Sequence, residues 1–125
     1  MRLARVLLVD DNRINVELTE FLLEQAGFAY ATAVDANDAL AQIPVFAPDL
    51  ILMDIQMPGM DGLALTRRLK ADAATRHIVI VAFTAYAMKG DELKMRTAGC
   101  DGYLSKPIDV ASFGQHIRGY LEAPT

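Results

Sequence analysis

Four short polar clusters each stand directly after an apolar run, and each carries a side chain suited to handling an anion or a cation. Asp10 and Asp11 follow Val6-Leu7-Leu8-Val9, and Asp54 follows Leu50-Ile51-Leu52-Met53. Thr84 follows Ile78-Val79-Ile80-Val81-Ala82-Phe83, and Lys106-Pro107 follows Gly102-Tyr103-Leu104-Ser105. In an open parallel sheet the carboxyl ends of the strands border a common crevice where ligands bind. Three carboxylates and one ammonium gathered there carry a formal charge of about −2, and two carboxylates ~5 Å apart repel by roughly 3 kcal/mol at an effective dielectric of 20. Either one is protonated or a cation fills the site. An all-oxygen cluster with few protein ligands suits Mg²⁺, which keeps several waters and partners phosphate. Asp11, Asp54 and a main-chain carbonyl near Gln56 are the expected direct ligands, with Asp10 acting through water.

A carboxylate can also serve as a nucleophile and form an aspartyl phosphate. Its approach to a negative phosphoryl group calls for a divalent cation and an ammonium to offset the repulsion. Lys106 fits as the ammonium, and Thr84 offers a hydroxyl that can donate to a phosphoryl oxygen. Each of these residues has a plainer reading. Asp10-Asp11-Asn12 could only cap a helix, Asp54 could be a turn residue before Pro58-Gly59, Thr84 an ordinary strand end, and Lys106-Pro107 a strand stop. An uncompensated carboxylate beside buried neighbours is costly, which favours the chemical reading of Asp54. His77 and His116 have no acidic or cysteine neighbours at ligand spacing and read as structural or surface residues, Cys100 as a small packing residue, and Met57 and Met60 as packing.

The elements that must position these side chains are legible in the hydrophobic pattern. The three longer apolar runs are continuous, as expected for strands covered on both faces, and Phe28 to Val34 and Gly102 to Ser105 are two weaker candidates. Ile14, Leu18, Phe21 and Leu22 recur at helical spacing, with Gly27 as a C-cap. Ala39, Leu40 and Ile43 mark a second helix stopped by Pro44 and Pro48. Leu65 and Leu69 mark a third, residues ~88 to 98 a fourth ending at Gly99, and Val110, Phe113, Ile117 and Leu121 a fifth. The order is (βα)₅, a doubly wound α/β parallel sheet. The expected strand order is 2-1-3-4-5, which puts the second strand on an edge and the other four ends around one crevice.

Composition narrows the class. The 125 residues form one expected domain over 1–125, and 53% hydrophobic with 22% charged residues argues against disorder. Twelve basic against sixteen acidic residues, net −4, supply no broad positive field, so nucleic acid is not an expected partner. The lone Cys100 excludes an internal disulfide, and no Cys/His spacing resembles a zinc site. The longest plainly apolar stretch, Ile78 to Phe83, is far short of the ~20 residues needed to span a bilayer, and no signal-peptide pattern opens the chain. A cytoplasmic protein without a membrane partner is expected.

Taken together, Val9-Asp10-Asp11-Asn12, Met53-Asp54-Ile55-Gln56-Met57-Pro58-Gly59-Met60-Asp61-Gly62, Phe83-Thr84-Ala85 and Tyr103-Leu104-Ser105-Lys106-Pro107 resemble the receiver domains of two-component response regulators. The resemblance spans nearly the whole chain, in order and at the expected spacings. It implies a flavodoxin-like fold, Mg²⁺-dependent transfer from the phosphohistidine of a histidine kinase or histidine phosphotransfer protein onto Asp54, and self-catalysed hydrolysis rather than turnover of other substrates. It implies a switch in which Thr84 moves toward the phosphoryl group and Tyr103 turns inward, and a cis peptide between Lys106 and Pro107 that aims the lysine into the site. Gln56 and Tyr86 occupy places that in this family tune hydrolysis. The stretch Ala85 to Glu92 resembles that of DivK-type single-domain receivers and of receivers attached to hybrid kinases. Output to a downstream protein is expected through the face of the fourth helix, fifth strand and fifth helix, which Thr84 and Tyr103 flank.

Three other functions share parts of this pattern. A haloacid-dehalogenase-like phosphatase also uses an Asp nucleophile, a hydroxyl, a Lys and acidic Mg²⁺ ligands. It would normally place a second Asp where Gln56 stands, and its acidic pair would come late in the chain. A flavin-binding electron carrier needs a hydroxyl-rich phosphate loop, whereas Asp10-Asp11-Asn12-Arg13 would repel a phosphate. The intact acidic pocket argues against the third, a phosphorylation-independent binding module.

Overall fold

In the computed structural model, which describes residues 3–55, 62–84, 89–105 and 109–122, the continuous apolar runs lie in strands, save Ile78, which stands one residue before its strand. The strands are β1 (Arg5–Val9), β2 (Ala29–Ala33), β3 (Leu50–Asp54), β4 (Val79–Thr84) and β5 (Gly102–Ser105). They alternate with α1 (Arg13–Gln25), α2 (Ala36–Phe46), α3 (Gly62–Ala71), α4 (Lys89–Ala98) and α5 (Phe113–Glu122). The pairing is parallel throughout, in the order β2-β1-β3-β4-β5. This is the doubly wound flavodoxin-like (βα)₅ sheet expected from the sequence.

Strand period explains why the runs are unbroken. Successive side chains point to opposite faces, and here both faces are covered. Leu7, Val9, Ile51, Met53 and Ile80 pack with Ala39 and Ile43 of α2 and Leu65 and Leu69 of α3. Val6, Leu8, Leu50, Leu52, Val81 and Phe83 pack with Leu22 and Leu23 of α1 and Phe113 and Ile117 of α5. A smaller cluster joins Leu63, Ala82, Met95 and Ala98, with Tyr103 against it. Full burial of each such side chain contributes roughly 1.5–3 kcal/mol, so a polar residue in a central strand would be costly on either face.

Local chemistry sets most helix ends. Asn12 caps α1 by accepting from the Asn15 N–H at 3.1 Å. At the other end Gly27 takes φ 87°, while the Phe28 N–H donates to the Leu23 carbonyl at 3.0 Å and the Gly27 N–H to Glu24 at 3.1 Å. Gly99, at φ 106°, ends α4 in the same way. Both stops fall where the sequence pattern put them.

Three expectations are corrected. Pro44 does not stop α2: the helix continues through it to Phe46 and ends at Ala47 in the left-handed region, φ 54°. A proline forfeits one intrahelical hydrogen bond, yet the Ala47 N–H still donates to the Ile43 carbonyl at 2.9 Å and closes the last turn. Val110 does not belong to α5. It sits exposed in a turn where Asp109 accepts from the Ala111 N–H at 3.2 Å and the Ser112 hydroxyl at 2.8 Å, a side-chain alternative to helix. In α1 the inward face is Thr19, Leu22 and Leu23, while Ile14, Leu18 and Phe21 are 80%, 41% and 55% exposed.

Candidate functional site

β1 and β3 are neighbours, with Val9 opposite Met53. The next residue on each strand path is Asp10 and Asp54, and in strand period these continue the rows of Leu8 and Leu52. Adjacent parallel strands run ~4.8 Å apart, so carboxylates at matched ends are held side by side. Carboxylate oxygens of Asp10, Asp11 and Asp54 all lie within 4.8 Å of one another. Asp10 is fully buried and Asp54 is 5% exposed, whereas Asp11 reaches solvent.

The acidic pair divides its work. The Asp10 N–H donates to the Ala33 carbonyl at 3.1 Å, tying the end of β1 to β2, and Asp10 Oδ1 accepts from the Asn12 N–H at 2.9 Å. Asp10 thus braces the turn into α1, Asn12 caps the helix, and Asp11 projects at the rim. Capping, the plainer reading of this stretch, is true of Asn12 and does not account for the gathered carboxylates.

Asp54 closes β3 opposite Phe83 of β4, and Thr84 follows one residue later as the last residue of β4. Thr84 in turn pairs with Ser105, the last residue of β5. The backbone therefore brings the Thr84 position to the same edge as the three aspartates. The Thr84 side chain lies outside the described residues, as do Gln56, Lys106 and Pro107. Tyr103 is half-buried on β5 against the cluster of Met95 and Ala98.

The sequence pattern did not single out Gly62, the first residue of α3. A Cβ there would lie 2.6 Å from the Asp54 carbonyl oxygen and 2.8 Å from the Ile55 Cα. Helix α3 begins in direct backbone contact with the end of β3, and only a glycine allows it. Behind it the Thr66 hydroxyl donates to the Gly62 carbonyl at 2.8 Å, and the Cys100 thiol lies 4.0 Å from that hydroxyl. Burial pushes the Cys100 thiol above its ordinary pKa, against the opposing effect of the Thr66 contact, which leaves it a poor nucleophile.

An all-oxygen trio, two members of which are buried, is a donor set suited to a hard divalent cation, and the cluster could hold a metal ion. With this fold and this acidic edge, the chain belongs to the response regulator receiver domain family, whose pattern matches residues 6–118. It is a receiver domain of two-component phosphorelay signalling, a signalling module. The polar-differentiation response regulator DivK of Brucella anthropi is 45% identical over 116 residues, which cover 93% of this chain and 94% of that protein. The receiver domain of the sensor histidine kinase PA1611 from Pseudomonas aeruginosa, solved with a magnesium ion coordinated in its active-site cleft, is similar with a TM-score of 0.87 and 30% identity, covering 98% of this chain and 100% of that one. The chemotaxis protein CheY4 of Vibrio cholerae reaches a TM-score of 0.88 at 25% identity, covering 94% and 98%. Neither the strand order nor the family match favours the phosphatase alternative. Among the described residues no helix is long and apolar enough to cross a membrane.

Proposed function

We propose that the chain forms one receiver domain over residues 1–125, works in the cytoplasm and takes a phosphoryl group onto Asp54 from the phosphohistidine of a histidine kinase or histidine phosphotransfer protein. What supports this is the gathering of Asp10, Asp11 and Asp54 oxygens within 4.8 Å at the carboxyl edge of the sheet. One Asp54 oxygen attacks phosphorus, the P–N bond breaks, and the imidazole leaves with the bond's electron pair. Asp10, Asp11, Asp54 and the Gln56 main-chain carbonyl would hold Mg²⁺, with Asp10 acting through water, and the ion when bound offsets the negative charge of the incoming phosphoryl oxygens. The magnesium in the cleft of the similar PA1611 receiver supports that choice of ion. Lys106 supplies an ammonium contact to a phosphoryl oxygen, and Thr84 donates its hydroxyl to another. Asp54 is almost buried, and Asp11 beside it is exposed at the rim.

Output passes through the face of α4, β5 and α5, with Thr84 and Tyr103 as the moving parts. A phosphoryl group adds up to about −2 in charge, and the two states must differ in partner affinity for that charge to signal.

The donor protein seats over α1, which begins beside the acidic pair and presents Ile14, Leu18 and Phe21 in one exposed stripe at helical spacing. A stripe of three large apolar side chains on a helix whose opposite face fills the core suits a partner helix.

Incubation with acetyl phosphate and Mg²⁺ is expected to place one acid-stable, base-labile phosphoryl group on the protein. Asp54→Asn should abolish it; label persisting in that variant overturns the assignment. The double variant Ile14→Ser, Phe21→Ser should lose about tenfold or more in transfer rate from a phosphorylated histidine kinase, equivalent to ~1.4 kcal/mol, while the acetyl phosphate rate stays unchanged. Equal losses with both donors would remove the docking role from α1.

A further inference from the structure

β5 is an edge strand, paired among the described strands with β4 alone. Its two sides meet different helices. The Tyr103 ring packs with Met95 and Ala98 of α4, whereas Leu104 packs on the opposite side with the cluster that includes Phe113, Ile117 and Tyr120 of α5. Tyr120 reaches across this division. Its hydroxyl donates to the Tyr103 carbonyl at 3.2 Å. Its ring fills the space beside Gly102, where a Cβ would lie 2.2 Å from Cε1 and 2.4 Å from Cζ. The missing side chain at position 102 is the seat of the Tyr120 ring.

We propose that Tyr120 is a positioning residue that fastens α5 to the strand carrying Tyr103, so that α5 follows the state of the acidic site. This rests on the phosphoacceptor reading above and adds the link by which α5 is reached. Among the described residues no further strand pairs on the outer side of β5, and there the Tyr120 phenol gives the Tyr103 carbonyl a donor from α5. Tyr103 also borders an open cavity of about 180 Å³ lined in addition by Met95, Cys100 and Tyr120. There is therefore room for the Tyr103 ring to change place. Any such change twists the peptide that the Tyr120 hydroxyl grips, and the helix end bearing Tyr120 is drawn with it. Tyr120→Phe keeps the ring on Gly102 and cuts only the hydrogen bond, while Gly102→Ala drives the ring out and leaves the hydroxyl without its approach.

Amide chemical shifts of the intact chain test this, with Mg²⁺ and beryllofluoride as the phosphoryl mimic. In the unsubstituted protein the amides of Asp10, Asp11 and Asp54 and those of Phe113–Glu122 should all shift. In Tyr120→Phe and in Gly102→Ala the site amides should shift as before, while the shifts along Phe113–Glu122 fall by about half or more. A full α5 response in both variants overturns the proposal. So does an unsubstituted protein whose site responds while α5 does not, an outcome that leaves Asp54 as acceptor intact. If the site amides themselves stay still, the phosphoacceptor reading fails and the coupling falls with it.

Discussion

One methyl group at position 62 should be enough to disturb Asp54, the proposed acceptor. The atoms a Cβ would strike, the Asp54 carbonyl oxygen at 2.6 Å and the Ile55 Cα at 2.8 Å, are backbone and have no alternative rotamer to adopt. Gly62→Ala is expected to cost about 1–3 kcal/mol, the usual penalty of overpacking, read as a lower denaturation midpoint, and to slow phosphorylation by acetyl phosphate. A variant as stable and as fast as the parent would refute the close contact. Residue types made part of this site legible from the chain alone. Asp10, Asp11 and Asp54 are carboxylates after apolar runs, and their repulsion on crowding follows from residue type alone. What could not be read is what stands opposite a residue. Gly62 looks like the end of a turn until α3 is seen against β3. The Thr19 hydroxyl, fully buried and without a hydrogen-bond partner among the described residues, is marked by nothing in the pattern. The split of duties between Asp10, Asn12 and Asp11 likewise depends on hydrogen-bond geometry rather than on residue type.

Elements were legible in proportion to how redundantly the chain encodes them. β1, β3 and β4 are apolar at every position but one end of each, Arg5, Asp54 and Thr84, so their place was unambiguous. Helix α1 has apolar residues on two sides, and periodicity alone cannot choose between Ile14-Leu18-Phe21 and Leu22-Leu23; the sheet chooses the second pair. Pro44 misled for the opposite reason, since its effect depends on where in the helix it falls. In the last turn it forfeits little, and α2 runs past it to a cap at Ala47, whose φ of 54° is strained for a residue with a Cβ. Ala47→Gly removes that strain at a smaller cost in unfolded-chain entropy. It should stabilise the protein by up to about 1 kcal/mol, seen as a raised urea midpoint with an unchanged slope. A fall in the midpoint would show that Ala47 is not held left-handed in solution.

At the scale of the whole molecule, the acidic cluster exists only when β1 and β3 are paired, because its members come from distant parts of the chain and have no reason to meet otherwise. A cation that binds the assembled cluster and not the unfolded chain stabilises the fold by mass action. About a hundredfold excess of Mg²⁺ over its Kd should add ~2.7 kcal/mol, raising the thermal midpoint. EDTA should reverse the rise and Asp11→Asn should blunt it; a midpoint indifferent to Mg²⁺ would remove the ion from the site. The strand order has one more consequence. Backbone amides exchange with solvent hydrogen first where a sheet can fray, at its margins, and last where strands are flanked on both sides. β1 and β3 hold the carboxylates and are flanked by a strand on both sides, while β5 lies at a margin, hydrogen-bonded to β4 on one side, with the phenol of Tyr120 donating to its Tyr103 carbonyl. The strands that carry the three carboxylates should therefore exchange their amides later than β5, the strand that carries Tyr103.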